Sequence, residues 1–192
     1  MATDGLAKVT AKTAAEVCKH FPLGEEAKKL MKDSQPPAPF LDTLIQKEQF
    51  PDAVRFLAHA LPKREAVWWA CLCSRSVAGA SPPPKVAAAL QAAEKWVVDP
   101  SEDNRRAAMP AAEAAELKTS AGCSAMAAFW SGGSLGPPNA PVVPPGEHLT
   151  AHGAASAVML AAVQSEPEKA PEKYRKFLAQ GIDVAKGTSK WK

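Results

Sequence analysis

The hydrophobic positions of this chain recur at intervals of three and four residues, the spacing of one face of an α-helix. Strict alternation of apolar and polar residues, which would indicate strands, is scarce, and proline or glycine surrounds the Val142–Val143 pair. Alanine, the best helix former, is abundant throughout. The pattern therefore predicts an all-α fold of about nine to ten short helices.

Capping residues and prolines predict where the helices begin and end. Thr13 and Glu16 form a capping box, and Ser101 with acidic residues behind it opens a later helix, which Pro110 should kink or split. Short connections favour antiparallel helical hairpins. The predicted helices run from Thr13 to before Phe21, then over Leu23–Met31, residues 39–45, Pro51–Leu61, Lys63–Val77, Lys85–Val98, Ser101–Leu117, Cys123–Trp130, Thr150–Gln164 and Ala170–Lys186.

Two segments stand out from this regular pattern. The helix over residues 63–78 contains the densest apolar run, Ala66 to Cys73, so we expect it to be the buried centre of the fold. Residues 131–148 are rich in proline and glycine and predict a long loop, which is either functional or disordered. We expect a single helical domain over residues 1–192, with flexible ends at 1–10 and 187–192.

Composition and charge exclude several classes of protein. The 192 residues are 46% hydrophobic and 22% charged, which is typical of a globular domain, and no apolar run is long enough for membrane insertion. The net charge of +3 is too small to predict nucleic-acid binding, and only the C-terminal tail leans basic. The first residues lack the apolar core of a secretory signal, and the four cysteines therefore indicate reduced thiols in a cytoplasmic protein.

Three blocks of sequence resemble a bacterial family of unknown function. They are Phe56–Cys71 (FLAHALPKREAVWWAC), Phe129–Leu135 (FWSGGSL) and Pro141–Pro145 (PVVPP), and the resemblance covers most of the chain. It implies no established activity. At most it implies a loose association with contractile type VI secretion loci.

Candidate catalytic and metal-binding residues are few. His148 and His152 are four residues apart, so one helix face can hold both imidazoles, but no third ligand is near and no metal site is predicted. Cys123 with a histidine is a conceivable nucleophile and base, although the thiol lies in an apolar helix of the kind that is usually core. Neither feature predicts a cofactor.

Two further features are weak candidates for anion binding. Arg105 and Arg106 lie on a helix that we expect to be exposed, and two cations are far fewer than a nucleic-acid surface needs. Ser131–Ser134 (SGGS) has glycines that can cradle an anion, but neither a preceding strand nor a following lysine completes a nucleotide site.

The strongest candidate for a partner-binding surface is a set of tryptophans beside charges. Arg64 and Glu65 precede adjacent tryptophans, and because neighbouring helical residues point about 100° apart, one tryptophan can enter the core while the other lines a groove. Tryptophan and arginine are enriched in binding hot spots. The predicted partner-binding residues are Arg64, Glu65, Trp68, Trp69, Trp130, Gly132 and Gly133.

These observations favour a non-enzymatic interaction or adaptor protein that binds a protein partner, as an accessory to a bacterial secretion system or another multiprotein assembly. The alternative is a small enzyme or metal-binding protein that uses His148, His152 or Cys123. The sequence does not predict the partner's identity or the oligomeric state.

Overall fold

A computed structural model describes residues 5–191, and these residues form helices and connecting loops with no strand. The all-α prediction is confirmed. The helices are α1 Ala14–Cys18, α2 Glu25–Leu30, α3 Pro37–Gln46, α4 Phe50–Ala60, α5 Lys63–Ala78, α6 Pro84–Val98, α7 Glu102–Ala115, α8 Ser120–Phe129, α9 Leu149–Val163 and α10 Ala170–Lys186, with a 3-10 turn at Pro167–Lys169.

The helix ends follow the capping residues. The Thr13 hydroxyl accepts a hydrogen bond from the Glu16 amide at 3.3 Å, and the Glu16 carboxylate accepts one from the Lys12 amide at 2.8 Å. The Ser101 hydroxyl accepts the Asn104 amide at 3.4 Å and begins α7. These contacts satisfy backbone N–H groups that have no partner within the helix.

Helix α7 continues through Pro110 as one helix, so the expected split does not occur. Pro110 itself is exposed, whereas Ala108 and Ala112 on either side of it are fully buried. The packing of this alanine face against α6 and α8 holds the helix together where proline removes one backbone hydrogen bond.

Two arginines show that successive helices run antiparallel. Arg64, in the first turn of α5, donates to the carbonyls of Val97 and Val98 at the end of α6, at 2.6 and 2.8 Å. Arg105, near the start of α7, donates to the Phe129 carbonyl at the end of α8 at 2.6 Å. Each arginine therefore donates hydrogen bonds to carbonyls that have no partner within the helix because they lie at its end.

The core contains α5 and α8. Helix α5 packs against α6, α8, α9 and α10, as its apolar run predicts. Helix α8 is buried more completely, because every one of its ten residues is buried. It consists largely of alanine, glycine and serine, so α5, α6, α7 and α9 can pack closely against it.

The long loop and the two ends contact the helices. Ser134 accepts the amides of Gly136 and Val143 at 3.1 and 3.0 Å, which folds the loop back on itself. The Lys8 amide donates to Ala185 at 2.8 Å. The flexible ends predicted at 1–10 and 187–192 fall partly on residues 1–4 and 192, which lie outside the described residues.

None of the helices in the described part of the chain combines the length and apolar character needed to cross a bilayer.

Candidate binding groove

An open apolar groove of about 590 Å³ runs between α8 and α9. Its volume lies in the range of binding sites, roughly 300 to 1,000 Å³. The apolar exposed residues Leu117 and Val163 lie at its edge. The residues that line this α8–α9 groove are Leu117, Lys118, Cys123, Met126, Trp130, Leu149, His152, Gly153, Ser156, Met159, Leu160, Val163 and Tyr174.

The groove follows from the way in which α8 and α9 pack. Gly153 in α9 lies against Ala127 in α8, where a Cβ atom on Gly153 would come within 2.9 Å of the Ala127 Cβ. This contact permits a close approach of the two backbones. The longer side chains of Met126 and Met159 line the opening beside that contact.

The groove residues of α9 form one continuous face. They recur at intervals of three and four from Leu149 to Val163, which spans the whole helix. Fifteen residues of α-helix are about 22 Å long. The groove is therefore elongated, with one wall as long as a four-turn helix.

Burial favours the neutral form of two ionisable groups at the groove. Cys123 donates its thiol hydrogen to the Leu117 carbonyl at 3.0 Å, and burial raises the pKa of this thiol above its ordinary value. Burial also raises the pKa of the Tyr174 hydroxyl. Since the thiolate is the nucleophile, the Cys123 environment disfavours the reactive form.

All four histidines of the chain meet at one end of α9, where they form the histidine cluster. His20 stacks on His148 with ring centroids 4.0 Å apart. His59 lies 6.0 Å from His148 and 4.8 Å from His152. His152 belongs both to this cluster and to the groove lining.

The hydrogen bonds of His59 fix its tautomer. Its Nδ1 lies 2.8 Å from the Arg55 carbonyl, which can only accept, so Nδ1 carries the hydrogen. Its Nε2 is buried and has no hydrogen-bond partner. Burial and, to a smaller extent, the other three histidines lower the pKa of His59 to about 4 against the opposing effect of the Arg55 bond. The pKa of His148 is lowered by burial and by His20.

The His148–His152 pair lies where the sequence predicts, at the beginning of a helix, with His148 as the residue that precedes α9. Within residues 5–191, no three histidine, cysteine or acidic side chains are arranged so that they could hold a metal ion. The two additional members of the cluster, His20 and His59, come from distant parts of the chain.

Four of the predicted partner-binding residues make contacts within the chain. Trp69 is fully buried, and its indole N–H donates to the Phe177 carbonyl at 2.7 Å, so no partner can reach it. Trp68 is half-buried. Glu65 is buried and pairs with Lys8 at 3.1 Å. Arg64 lies 4.2 Å from the ring of Trp191 while it binds the end of α6.

The other three predicted residues lie around the end of α8. Trp130 lines the groove. Gly132 is half-buried and has open space around its Cα. Gly133 has a positive φ of 63°, and a Cβ there would lie 2.7 Å from the Arg105 guanidinium, so this position requires glycine for the fold.

The arginine pair is not an exposed cationic surface. Arg105 is only 3% exposed, and it binds Glu102 and the carbonyls of Phe129 and Ser134. Arg106 binds Glu102 and the Gly136 carbonyl. The expectation of an exposed face at Arg105 is therefore wrong, because unpaired carbonyls at the end of α8 and in the loop draw its guanidinium inward.

Residues 40–185, from α3 to α10, match a family of unknown function, DUF6931. The chain belongs to DUF6931. No curated protein and no solved structure matches the chain. The DUF6931 match contains the groove and three of the four histidines, whereas α1, α2 and His20 precede it.

Sequence reasoning missed most of the groove in this DUF6931 chain. Of its lining residues, only Cys123, Trp130 and His152 were candidates, and each was considered for a different reason. The sequence feature that could have indicated the groove is the apolar face of α9. Met159, Leu160 and Val163 lie on this face at helical spacing, and the opposite face consists mostly of alanine.

Proposed function

We propose that this protein is a non-enzymatic adaptor that holds an amphipathic helix of a partner protein in the α8–α9 groove. The observation that carries the proposal is the face of α9 from Leu149 to Val163, which borders an open apolar groove that no segment of the described chain fills. Helix-in-groove recognition uses apolar anchors at helical spacing on such a surface.

The shape of the groove supports a helix as the occupant. One wall extends for about 22 Å, which matches about four turns of a bound helix. Trp130 and two methionines, Met126 and Met159, line it. Tryptophan is a frequent hot-spot residue, and methionine adapts its shape to different apolar partners.

The proposed occupant is a protein segment with an apolar stripe and a polar outer face. We propose that the adaptor works in the cytoplasm, where its four free thiols would stay reduced. The resemblance to a family associated with type VI secretion loci suggests a secretion system, or another multiprotein assembly, as the place to look for the partner.

The test is selection of helical peptides that bind the purified protein, from a displayed library with apolar residues at positions i, i+3, i+4 and i+7. Val163→Glu places a charge at the groove edge, and we expect it to weaken binding by at least about tenfold. Val98→Glu is the matched control, since Val98 is an exposed valine (50%, against 42% for Val163) outside the groove lining. Affinities are measured by fluorescence anisotropy.

Methyl NMR locates the bound peptide independently of mutation. Signals of Met126 and Met159 should shift on binding, whereas those of Met31 and Met109, which do not line the groove, should not. The proposal fails if no peptide binds, or if the selected peptides bind equally to both glutamate variants. It also fails if no peptide binds but a small apolar dye does, and Val163→Glu abolishes the binding of the dye. The groove is then a small-molecule site.

A further inference from the structure

We infer that the histidine cluster is a proton-sensitive clasp that fastens the N-terminal arm, residues 5–23, to α4 and to the beginning of α9. The inference is independent of what occupies the groove. It rests on the arrangement in space of all four histidines of the chain.

The cluster joins three segments that are far apart in sequence. His20 belongs to the arm, His59 to α4, and His148 and His152 to the beginning of α9. Phe21 of the arm adds an apolar contact, with its ring centroid 4.8 Å from that of His59. The end of the arm is therefore attached by imidazole contacts together with the buried side chains of Val17, Phe21 and Leu23.

The geometry of the clasp favours uncharged rings. His20 and His148 stack at 4.0 Å, and His59 has a buried Nε2 without a hydrogen-bond acceptor beside it. A second proton in the cluster places two positive rings within about 4 to 6 Å of each other, where like charges repel strongly. Proton uptake therefore opposes attachment of the arm.

The charged groups around the cluster do not compensate for several protons. Glu147 lies 3.9 Å from His148, is largely exposed, and is opposed by Lys63 of α5. Glu16 of α1 lines a cavity with His20 and His59, but its side chain is exposed, so water and salt screen its charge. In α4 the Arg55 guanidinium pairs with Asp52. These groups leave the repulsion between the rings largely unbalanced.

The direction of the pH dependence follows from the lowered pKa of His59. Its ordinary value is 6.5, and in the folded protein it is about 4. Arm residues lie beside His59, so detachment of the arm exposes this ring and raises its pKa toward the ordinary value. The protein with a detached arm then binds more protons, and attachment weakens as the pH falls from 6.5 toward 4.

The test measures the protonation of the four histidines and the attachment of the arm. Because the chain has only these four histidines, ¹⁵N-histidine NMR over the pH range reports on the cluster alone. Hydrogen exchange, corrected for the intrinsic effect of pH, is compared between residues 12–23 and α6–α7. We expect protection of residues 12–23 to fall at least about tenfold between pH 7.5 and 5, and that of α6–α7 less than about twofold.

The double variant His59→Phe/His148→Phe keeps an aromatic ring at the two positions whose pKa is lowered, but neither ring can take up a proton. We expect it to reduce the tenfold loss of protection to less than about threefold. Glu16→Gln, which removes the nearby carboxylate of the arm, should leave the loss unchanged. The inference is overturned if protection of the arm does not change with pH in the unmodified protein, or if the double variant retains the full loss.

Discussion

The α5–α6 pair and the α7–α8 pair are joined by the same kind of arginine–carbonyl contact. They differ in the surroundings of that contact. In each, an arginine near the start of the first helix binds the carbonyls at the end of the second. At α5–α6 Trp191 packs on Arg64, and the arginine remains partly exposed. At α7–α8 the arginine is buried and α8 leads to Trp130 and an open groove.

This difference bears on whether tryptophans next to charged residues mark a binding surface. Around Trp68 and Trp69 the charged groups are used in contacts within the chain, such as the Glu65–Lys8 ion pair. Around α9 the lining is apolar, and no segment of the described chain fills the groove. We therefore propose the apolar face without an internal partner as the binding surface.

The largest expected effect comes from the two adjacent tryptophans of α5. Trp69→Ala should lower the free energy of unfolding by about 3 to 5 kcal/mol, because the ring is fully buried and packs so closely that a Cβ on Gly181 would lie 2.6 Å from it. Trp68→Ala should cost about half as much or less, since the ring is half-buried and its indole N–H has no partner to lose. Urea denaturation measures both.

Equal losses for the two tryptophans would contradict the division of α5 into a core face and an outer face. A small loss for Trp69→Ala would mean that the core tolerates the cavity. Trp69→Phe separates packing from hydrogen bonding, since it retains an aromatic ring and removes the bond to Phe177.

The second effect compares the two arginines directly. Arg105→Met should lower the free energy of unfolding by about 3 kcal/mol, because it leaves the carbonyls of Phe129 and Ser134 without their donor in a buried site. Arg64→Met should cost only about 1 kcal/mol, since Arg64 is half-buried and water can reach the carbonyls of α6.

Thermal or urea unfolding of the two methionine variants decides this comparison. If Arg64→Met costs as much as Arg105→Met, the α5–α6 joint is as closed to water as the α7–α8 joint. Hydrogen exchange should also show a looser loop at residues 134–136 in Arg105→Met alone, because only this arginine binds Ser134.

Much of the fold could be predicted from local chemistry. The predicted bounds of α10, Ala170–Lys186, are those of the structure, and the caps at Thr13 and Ser101 are present. Such features depend on residues within a few positions of one another. Of the two outcomes expected at Pro110, a kink or a split, the split does not occur, because packing of the alanine face of α7 outweighs the local preference of proline.

The site could be predicted only in fragments. His148 and His152 share a helix start, but His20 and His59 reach them through contacts across most of the chain, which spacing does not reveal. Arg105 was expected in solvent because its partners, the carbonyls of Phe129 and Ser134, are backbone atoms without a signature in the sequence. Local sequence patterns do not reveal contacts between residues far apart in the chain, or contacts that side chains make with backbone atoms.

The smallest expected effect is the difference in alkylation rate between the thiols of the two regions. In α5, Cys71 and Cys73 are fully buried and burial raises the pKa of each, so we expect iodoacetamide to label them only on unfolding. Cys123 should react slowly, because its thiol is buried and bonded to Leu117. Cys18 should react no more slowly than Cys123, because it is half-buried and easier for the reagent to reach, although its pKa is raised to about 11. Mass spectrometry of each labelled peptide gives the rates, and a Cys123 that reacts much faster than Cys18 would support a nucleophilic thiol in the groove instead of a passive binding surface.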